Sequence, residues 1–262
     1  MVFTNKVIGL FKQLKKWHLF QVMVLLILIL VLSFFGLLFY FTKDADISGL
    51  KNELPQPTVF YDVNGKMASK VSANKNEGVP IKVVPASLKN AIIAIEDHRF
   101  YKHNGVDLIG TTRALFRDLK AGGMVEGGST ITQQLTKNTI LTSEKTLKRK
   151  MQEVFLAIAV ERKYSKSEIL QMYMNQIYFG DGAYGIKQAA SKYFAKDVQD
   201  LSVSQSALLA GLIKAPSALN PYKHMEKATE RRNLVLAAMK EQGYITNGQY
   251  QKAKTEKIVL ND

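Results

Sequence analysis

Hydrophobic and polar positions divide the chain into two regimes. Leu19 to Phe41 is an unbroken apolar run of 23 residues without a charge, its notable polar members being Gln21 and Ser33. Wound as a helix at about 1.5 Å per residue it reaches roughly 34 Å, enough for a bilayer core of about 30 Å. A cleaved signal peptide has an apolar region of about 7–15 residues that ends in a small-residue site. This run is longer and leads into Phe-Thr-Lys-Asp-Ala-Asp, so an uncleaved anchor is expected. Lys6, Lys12, Lys15 and Lys16, with no acid, precede the run, whereas Lys43, Asp44 and Asp46 follow it. The positive-inside rule then puts residues 1–18 in the cytoplasm as a basic tail, residues 19–41 in the membrane, and the rest outside.

Beyond the run the period changes twice. Asp44 to Leu54 is polar, and Pro55 and Pro57 mark a linker. Val59, Tyr61 and Val63 alternate up to Asn64-Gly65, and Met67, Ser69 and Val71 alternate after it, the pattern of a type I′ β-hairpin. Residues 42–84 therefore read as linker and hairpin. From Pro85 to the last residue the periodicity is helical. Leu88, Ala91, Ile92 and Ile95 form a stripe that ends at Glu96-Asp97; Asp107 can cap a helix bearing Leu108, Leu115, Phe116 and Leu119, ended by Gly122-Gly123. A long helix is expected from Ser143 to Tyr164 with Leu147, Met151, Val154 and Ile158 inward, and another from Ser165 through Ile169, Leu170, Met172 and Tyr173 to a stop near Gly180-Asp181-Gly182. Capping boxes recur at Thr130/Gln133, Ser165/Glu168, Ser202/Gln205 and Thr246/Gln249. The expected class is mainly α, with one N-terminal transmembrane helix and a small β-hairpin.

Charge narrows the partners. The 262 residues hold 36 Lys plus Arg against 22 Asp plus Glu, a net charge of +14, so the partners should be anionic. An extracytoplasmic body makes nucleic acid a poor choice, and neither zinc-finger spacing nor an aromatic RNA-binding signature occurs. Lipid head groups or polyanionic envelope material fit better. The chain has no cysteine, which excludes a disulfide framework, a thiolate nucleophile and a Cys-ligated zinc. It also has neither a P-loop nor a G-x-S-x-G elbow.

Three stretches carry candidate chemistry. Gly127 to Asn138 reads Gly-Gly-Ser-Thr-Ile-Thr-Gln-Gln-Leu-Thr-Lys-Asn, so polar side chains gather where a capped helix starts. Such a start is either an ordinary surface cap or a grip for an anion. Glu96 ends an apolar stripe, and a carboxyl against an apolar wall has a raised pKa, which suits it for taking a proton from a sugar hydroxyl. The simpler alternative pairs Glu96 and Asp97 with Arg99 or Lys102. Glu153 shares a helix face with Arg149 and Lys150, a salt-bridge cluster in the plain reading. Yet Lys137, Lys145, Lys148, Arg149 and Lys150 leave an excess of positive charge that a pyrophosphate would neutralise. His98 and His103, five apart, do not match a helical zinc pair.

Together these stretches resemble the peptidoglycan glycosyltransferases of family 51. Glu96 to Gly105 looks like that family's E-D-x-x-F-x-x-H-x-G motif, Gly127 to Asn138 like G-G-S-T-I-T-Q-Q-x-x-K-N, and Arg149 to Glu153 like R-K-x-x-E. Lys166 to Gly180 resembles the fourth motif, and Arg231-Arg232 with Val235-Leu236 the fifth. The resemblance implies a lysozyme-like helical domain over residues 85–262 that polymerises lipid II at the outer face of the bacterial cytoplasmic membrane. Glu96 would be the general base. Glu153 would position the donor pyrophosphate or a divalent metal such as Mg or Mn, and no organic cofactor is implied. Gly127, Ser129, Gln133, Lys137, Asn138, Lys145 and Arg149 would bind the donor. The implied partners are lipid II, the growing glycan strand, the bilayer and other cell-wall synthesis proteins. Two departures stand out: Gln171 where the fourth motif often has Glu, and Met174 where it often has Leu. No S-D-N or K-T-G occurs, so a transpeptidase is not expected within these residues. The alternatives are a lysozyme-like hydrolase using the same carboxylates and a scaffold that binds lipid II without turning it over.

Overall fold

The computed structural model describes residues 2–43, 45, 47, 50, 58–61, 67–71, 78–121, 128–141 and 146–261. It divides into two compact units, Met1–Ala45 and Asp46–Asp262. The first is helix α1, Val2–Thr42, whose segment Trp17–Thr42 is long and apolar enough to cross a membrane, with a mean hydropathy of 3.2. Its helical backbone continues through the basic segment upstream of the apolar run.

The second unit begins with strands β1 (Thr58–Tyr61) and β2 (Met67–Val71), paired antiparallel. The register Thr58 to Val71, Val59 to Lys70 and Phe60 to Ser69 is centred on Asn64-Gly65, then slips by one residue at Tyr61 and Met67. The turn itself, residues 62–66, lies outside the described residues.

The remainder is mainly helical, as expected. Helix α2 (Ala86–Glu96) buries Leu88, Ala91, Ile92, Ile93 and Ala94. Next come α3 (Leu108–Ala121), α4 (Ile131–Thr139), α5 (Leu147–Lys163) and α6 (Lys166–Gln176). A short ribbon, β3 (Tyr178–Gly180) and β4 (Ala183–Tyr184), precedes α7 (Ile186–Phe194), α8 (Val203–Leu212), α9 (Met225–Glu241) and α10 (Asn247–Thr255). Helix α8 is buried all round, as its Ser-Ala-Leu-Leu-Ala-Gly-Leu sequence dictates, and packs against α2 and α9. Helix α4 packs against α5 and α6, which places its first turn near the end of α2.

Three features depart from the sequence expectations. Helix α5 turns Glu153, Phe155, Leu156, Ala157 and Val160 inward and leaves Leu147 and Met151 exposed, with Val154 and Ile158 half-buried. Two apolar stripes run along that helix, and packing against α4 and α6 selects the one containing Phe155 and Leu156. Helix α6 stops at Gln176, earlier than the glycines imply, because Ile177 is already extended and Gly180, Asp181 and Gly182 take positive φ to turn the ribbon. The segment read as linker also reaches the core: Leu50, Val79 and Val84 are buried there, and the Tyr164 hydroxyl donates to the Ile47 carbonyl at 2.8 Å. On α6, Asn175 grips Val79 like a strand partner, accepting its N–H at 2.8 Å and donating to its carbonyl at 3.0 Å. Gln171 accepts the Ile81 N–H at 2.8 Å, a role that needs an oxygen acceptor and that Glu would fill equally, so the departure at that position is neutral here.

Candidate active site

The site is assembled where α2 ends and α4 begins. Thr130 caps α4 by accepting the Gln133 N–H at 3.1 Å, while the Gln133 side chain accepts the Thr130 N–H at 2.9 Å. The Thr130 hydroxyl donates to the Gly105 carbonyl at 2.6 Å, tying α4 to the loop after α2. That loop is tight: Gly105 has φ +94°, and a Cβ there would lie 2.7 Å from the Ala157 backbone.

The anion at this helix start is internal. Asp97 Oδ2 accepts the Ile131 N–H at 3.0 Å and lies 2.9 Å from His103 Nε2. Of the two readings left open for this helix start, the cap is present, and the group beside it is the chain's own Asp97 carboxyl. Asp97 and Thr130 take the Ile131 and Gln133 donors, and the dipole favours the carboxylate that is already there. Gln133 is buried within the box, at 4% exposure. Arg99 pairs with Asp107 at 3.1 Å, which sets aside the alternative in which it neutralises Glu96 or Asp97. Burial raises the Asp107 pKa, but the Gly110 N–H and Arg99 outweigh it and hold the carboxyl below its ordinary 3.8. Asp107 caps α3 as the sequence implied.

Glu96 does different work. Its Oε2 accepts from Gln134 Nε2 at 2.9 Å. Burial pushes its pKa above the ordinary 4.5, assisted by the Asp97 charge and opposed by the Gln134 hydrogen bond, Arg231 and Lys214. The residue keeps some solvent contact, so crowding around the carboxyl, not full enclosure, causes the shift. Glu96 lines a cavity of about 60 Å³ with Asp97, His98, Thr111, Gly128 and Ser129.

Ser129 connects that cavity to the cationic helix. Its hydroxyl accepts from Lys150 Nζ at 2.9 Å, and the same ammonium meets Glu153 Oε2 at 2.8 Å, with Arg149 Nη2 3.6 Å from Oε1. Glu153 is 2% exposed, a buried carboxylate between two cations. Among the described residues no group of three or more His, Cys, Asp or Glu side chains could hold a metal ion.

Lys137 and Asn138 are exposed at the last turn of α4. Arg149 Nε is buried with no hydrogen-bond partner among the described residues, so that guanidinium keeps a donor in hand. Gly127 and Lys145 lie outside the described residues. Sequence reasoning gave no role to Gln134, Tyr173, Lys214 or Arg231, although all four bear on Glu96 or its hydrogen-bond partner. Gln134, Tyr173 and Arg231 stood inside motifs named above, and that was the signal available for them.

The domain is mainly helical and sets the crowded Glu96 carboxyl at a cavity joined through Ser129 to a helix face bearing Arg149 and Lys150. The Transglycosylase family pattern matches residues 64–240, more than half of the chain, and the chain belongs to that family. Penicillin-binding protein 1A/1B of Bacillus subtilis (strain 168) is 46% identical over 257 residues, covering 97% of this chain and 27% of that protein. Penicillin-binding protein 1F of the same organism is 45% identical, covering 89% of this chain and 33% of that protein. The chain thus spans between a quarter and a third of the length of these relatives. A crystal structure of penicillin-binding protein 1A from Haemophilus influenzae aligns at a TM-score of 0.45 with 27% identity, over 80% of this chain and 22% of that one.

Proposed function

We propose that this chain is a peptidoglycan glycosyltransferase that polymerises lipid II into β-1,4-linked glycan strands, held by α1 in the bacterial cytoplasmic membrane with its N-terminus inside and Asp46–Asp262 outside. The Glu96 carboxyl carries the reading: its pKa is raised by burial and it is held by Gln134 at the cavity it shares with Ser129.

In the reaction, the Glu96 carboxylate takes the proton of the acceptor GlcNAc 4-hydroxyl. The acceptor oxygen forms a bond to the anomeric carbon of the donor MurNAc as the bond to the pyrophosphate oxygen breaks, and that oxygen leaves with the electron pair. A single displacement inverts the centre and needs no covalent enzyme intermediate. Undecaprenyl pyrophosphate departs with its charge met by Lys137, Lys145 and Arg149, while Gly127, Ser129 and Asn138 line the donor side and Gln133 holds the helix start behind them. Glu153 positions Arg149 and Lys150 for that task. The exposed Leu108, Ile109 and Leu119 of α3 suit a lipid-bearing substrate or the bilayer surface.

Incubating the detergent-purified chain with labelled lipid II tests the reading. Glycan ladders on a gel are expected; fragments released from finished peptidoglycan, with no ladder from lipid II, would instead make it a hydrolase.

A further inference from the structure

Glu96 stands at the end of a two-link relay that crosses three helices. Gln134 on α4 donates from Nε2 to Glu96 Oε2 at 2.9 Å, and Tyr173 on α6 donates its hydroxyl to Gln134 Oε1, also at 2.9 Å. Tyr173 is 1% exposed, so water does not compete for that hydroxyl. Burial, with the charges of Glu96 and Asp97, pushes the phenol well above its ordinary 10, and the hydroxyl stays protonated at any pH of physiological interest.

The sense of the relay follows from what each group can do. An ionised carboxylate only accepts, and a glutamine offers one accepting and one donating end. With the amide turned over, its oxygen would face the carboxylate oxygen. The phenol proton would then lose its acceptor, since among the described residues the Tyr173 hydroxyl makes no other hydrogen bond. A buried hydroxyl left unsatisfied costs about 1–3 kcal/mol. Tyr173 therefore locks the amide with nitrogen toward Glu96. The other charged groups that face the carboxyl are Arg231 on α9, Lys214 just after α8 and Asp97 next along the chain. Their attraction and repulsion are insensitive to the amide's orientation, so the orienting task falls to the phenol.

We propose that Tyr173 is a positioning residue for glycosyl transfer, holding the Gln134 amide in the one sense that keeps the Glu96 carboxyl charged and aimed at the acceptor hydroxyl. The proposal rests on the assignment of Glu96 as the base. Tyr173 acts through Gln134, and its removal weakens support for the ionised carboxyl while leaving the substrate-binding groups in place.

The test is the pH profile of lipid II polymerisation by the full chain in detergent, comparing the parent with Tyr173→Phe. Loss of a donor to the ionised form raises a carboxyl pKa, and the base must be ionised to work. The acid limb of kcat should therefore move to higher pH by about one unit, roughly tenfold in rate on that limb, with KM unchanged and the rate recovered at the alkaline plateau. Gln134→Leu should displace the limb at least as far, and the double variant no further than Gln134→Leu alone, because both act on one chain of bonds. Should Tyr173→Phe fail to fold, an unmoved limb in Gln134→Leu would overturn the proposal. A Tyr173→Phe profile that coincides with the parent, or one lowered equally at every pH, would also overturn it. Glu96→Gln, assayed alongside, separates the two claims: polymerisation at the parent rate would remove the base assignment itself. An inactive Glu96→Gln with an unmoved limb in Tyr173→Phe would remove only the relay.

Discussion

Glu96 and Asp97 are neighbours with opposite tasks, and their partners make the difference. Asp97 meets a helix N–H and His103, which give it a structural role, whereas Glu96 is desolvated and holds one amide. The acidic pair was legible in the sequence, but the division of labour was not, because Arg99 and Lys102 are close in sequence whereas Ile131, Gln134 and Arg231 come from distant elements. The raised pKa also has a stability consequence. The folded chain holds the Glu96 proton more tightly than the unfolded chain, so this contribution is full below the ordinary 4.5 and is lost as pH rises through the folded-state value. Thermal melts of Glu96→Gln should accordingly match the parent at acid pH and exceed it at alkaline pH; a lower Tm at alkaline pH would contradict the desolvation argument. Lys137 is exposed, so Lys137→Ala should lower turnover with little change in Tm. A collapsed transition in that variant would make the lysine structural.

At the level of elements, the capping boxes were readable because their chemistry is local. Thr130/Gln133, Ser165/Glu168, Ser202/Gln205 and Thr246/Gln249 each start a helix in the structure, with both reciprocal bonds in place. What the Thr130 box serves was not local. Thr130 links the start of α4 to Gly105, beside the Asp97 carboxylate that occupies the same turn. Thr130→Val keeps the shape but removes the cap and the Gly105 bond, and should cost roughly 1–2 kcal/mol in chemical denaturation. A loss indistinguishable from zero would mean the helix start is held by Asp97 alone. The buried face of α5 could not be chosen from periodicity, since two stripes compete there and only the packing against α4 and α6 decides. The β3–β4 ribbon was equally hidden: it is too short for alternation to register, and its glycines read as a helix stop.

At the level of the whole molecule, the apolar span and the mainly α class followed from pattern alone, one from length and the other from period. The boundary between linker and domain did not, because Leu50, Val79 and Val84 stand in polar or proline-rich sequence without a helical period, and their burial depends on the rest of the core. Asn175 fastens part of that segment with two buried bonds to Val79. Asn175→Ala should therefore destabilise Asp46–Asp262 by about 2–4 kcal/mol, read as a shifted denaturation midpoint. An unchanged midpoint would mean that the segment before α2 adds nothing to the fold. The central proposal is that the Glu96 carboxyl at the end of α2 takes the acceptor proton. The most direct measurement is the rate of glycan-ladder formation from labelled lipid II by purified Glu96→Gln and parent protein, with folding of both checked by thermal melts. A folded Glu96→Gln that yields no ladder while the parent polymerises is the expected result; ladders forming at the parent rate would contradict it.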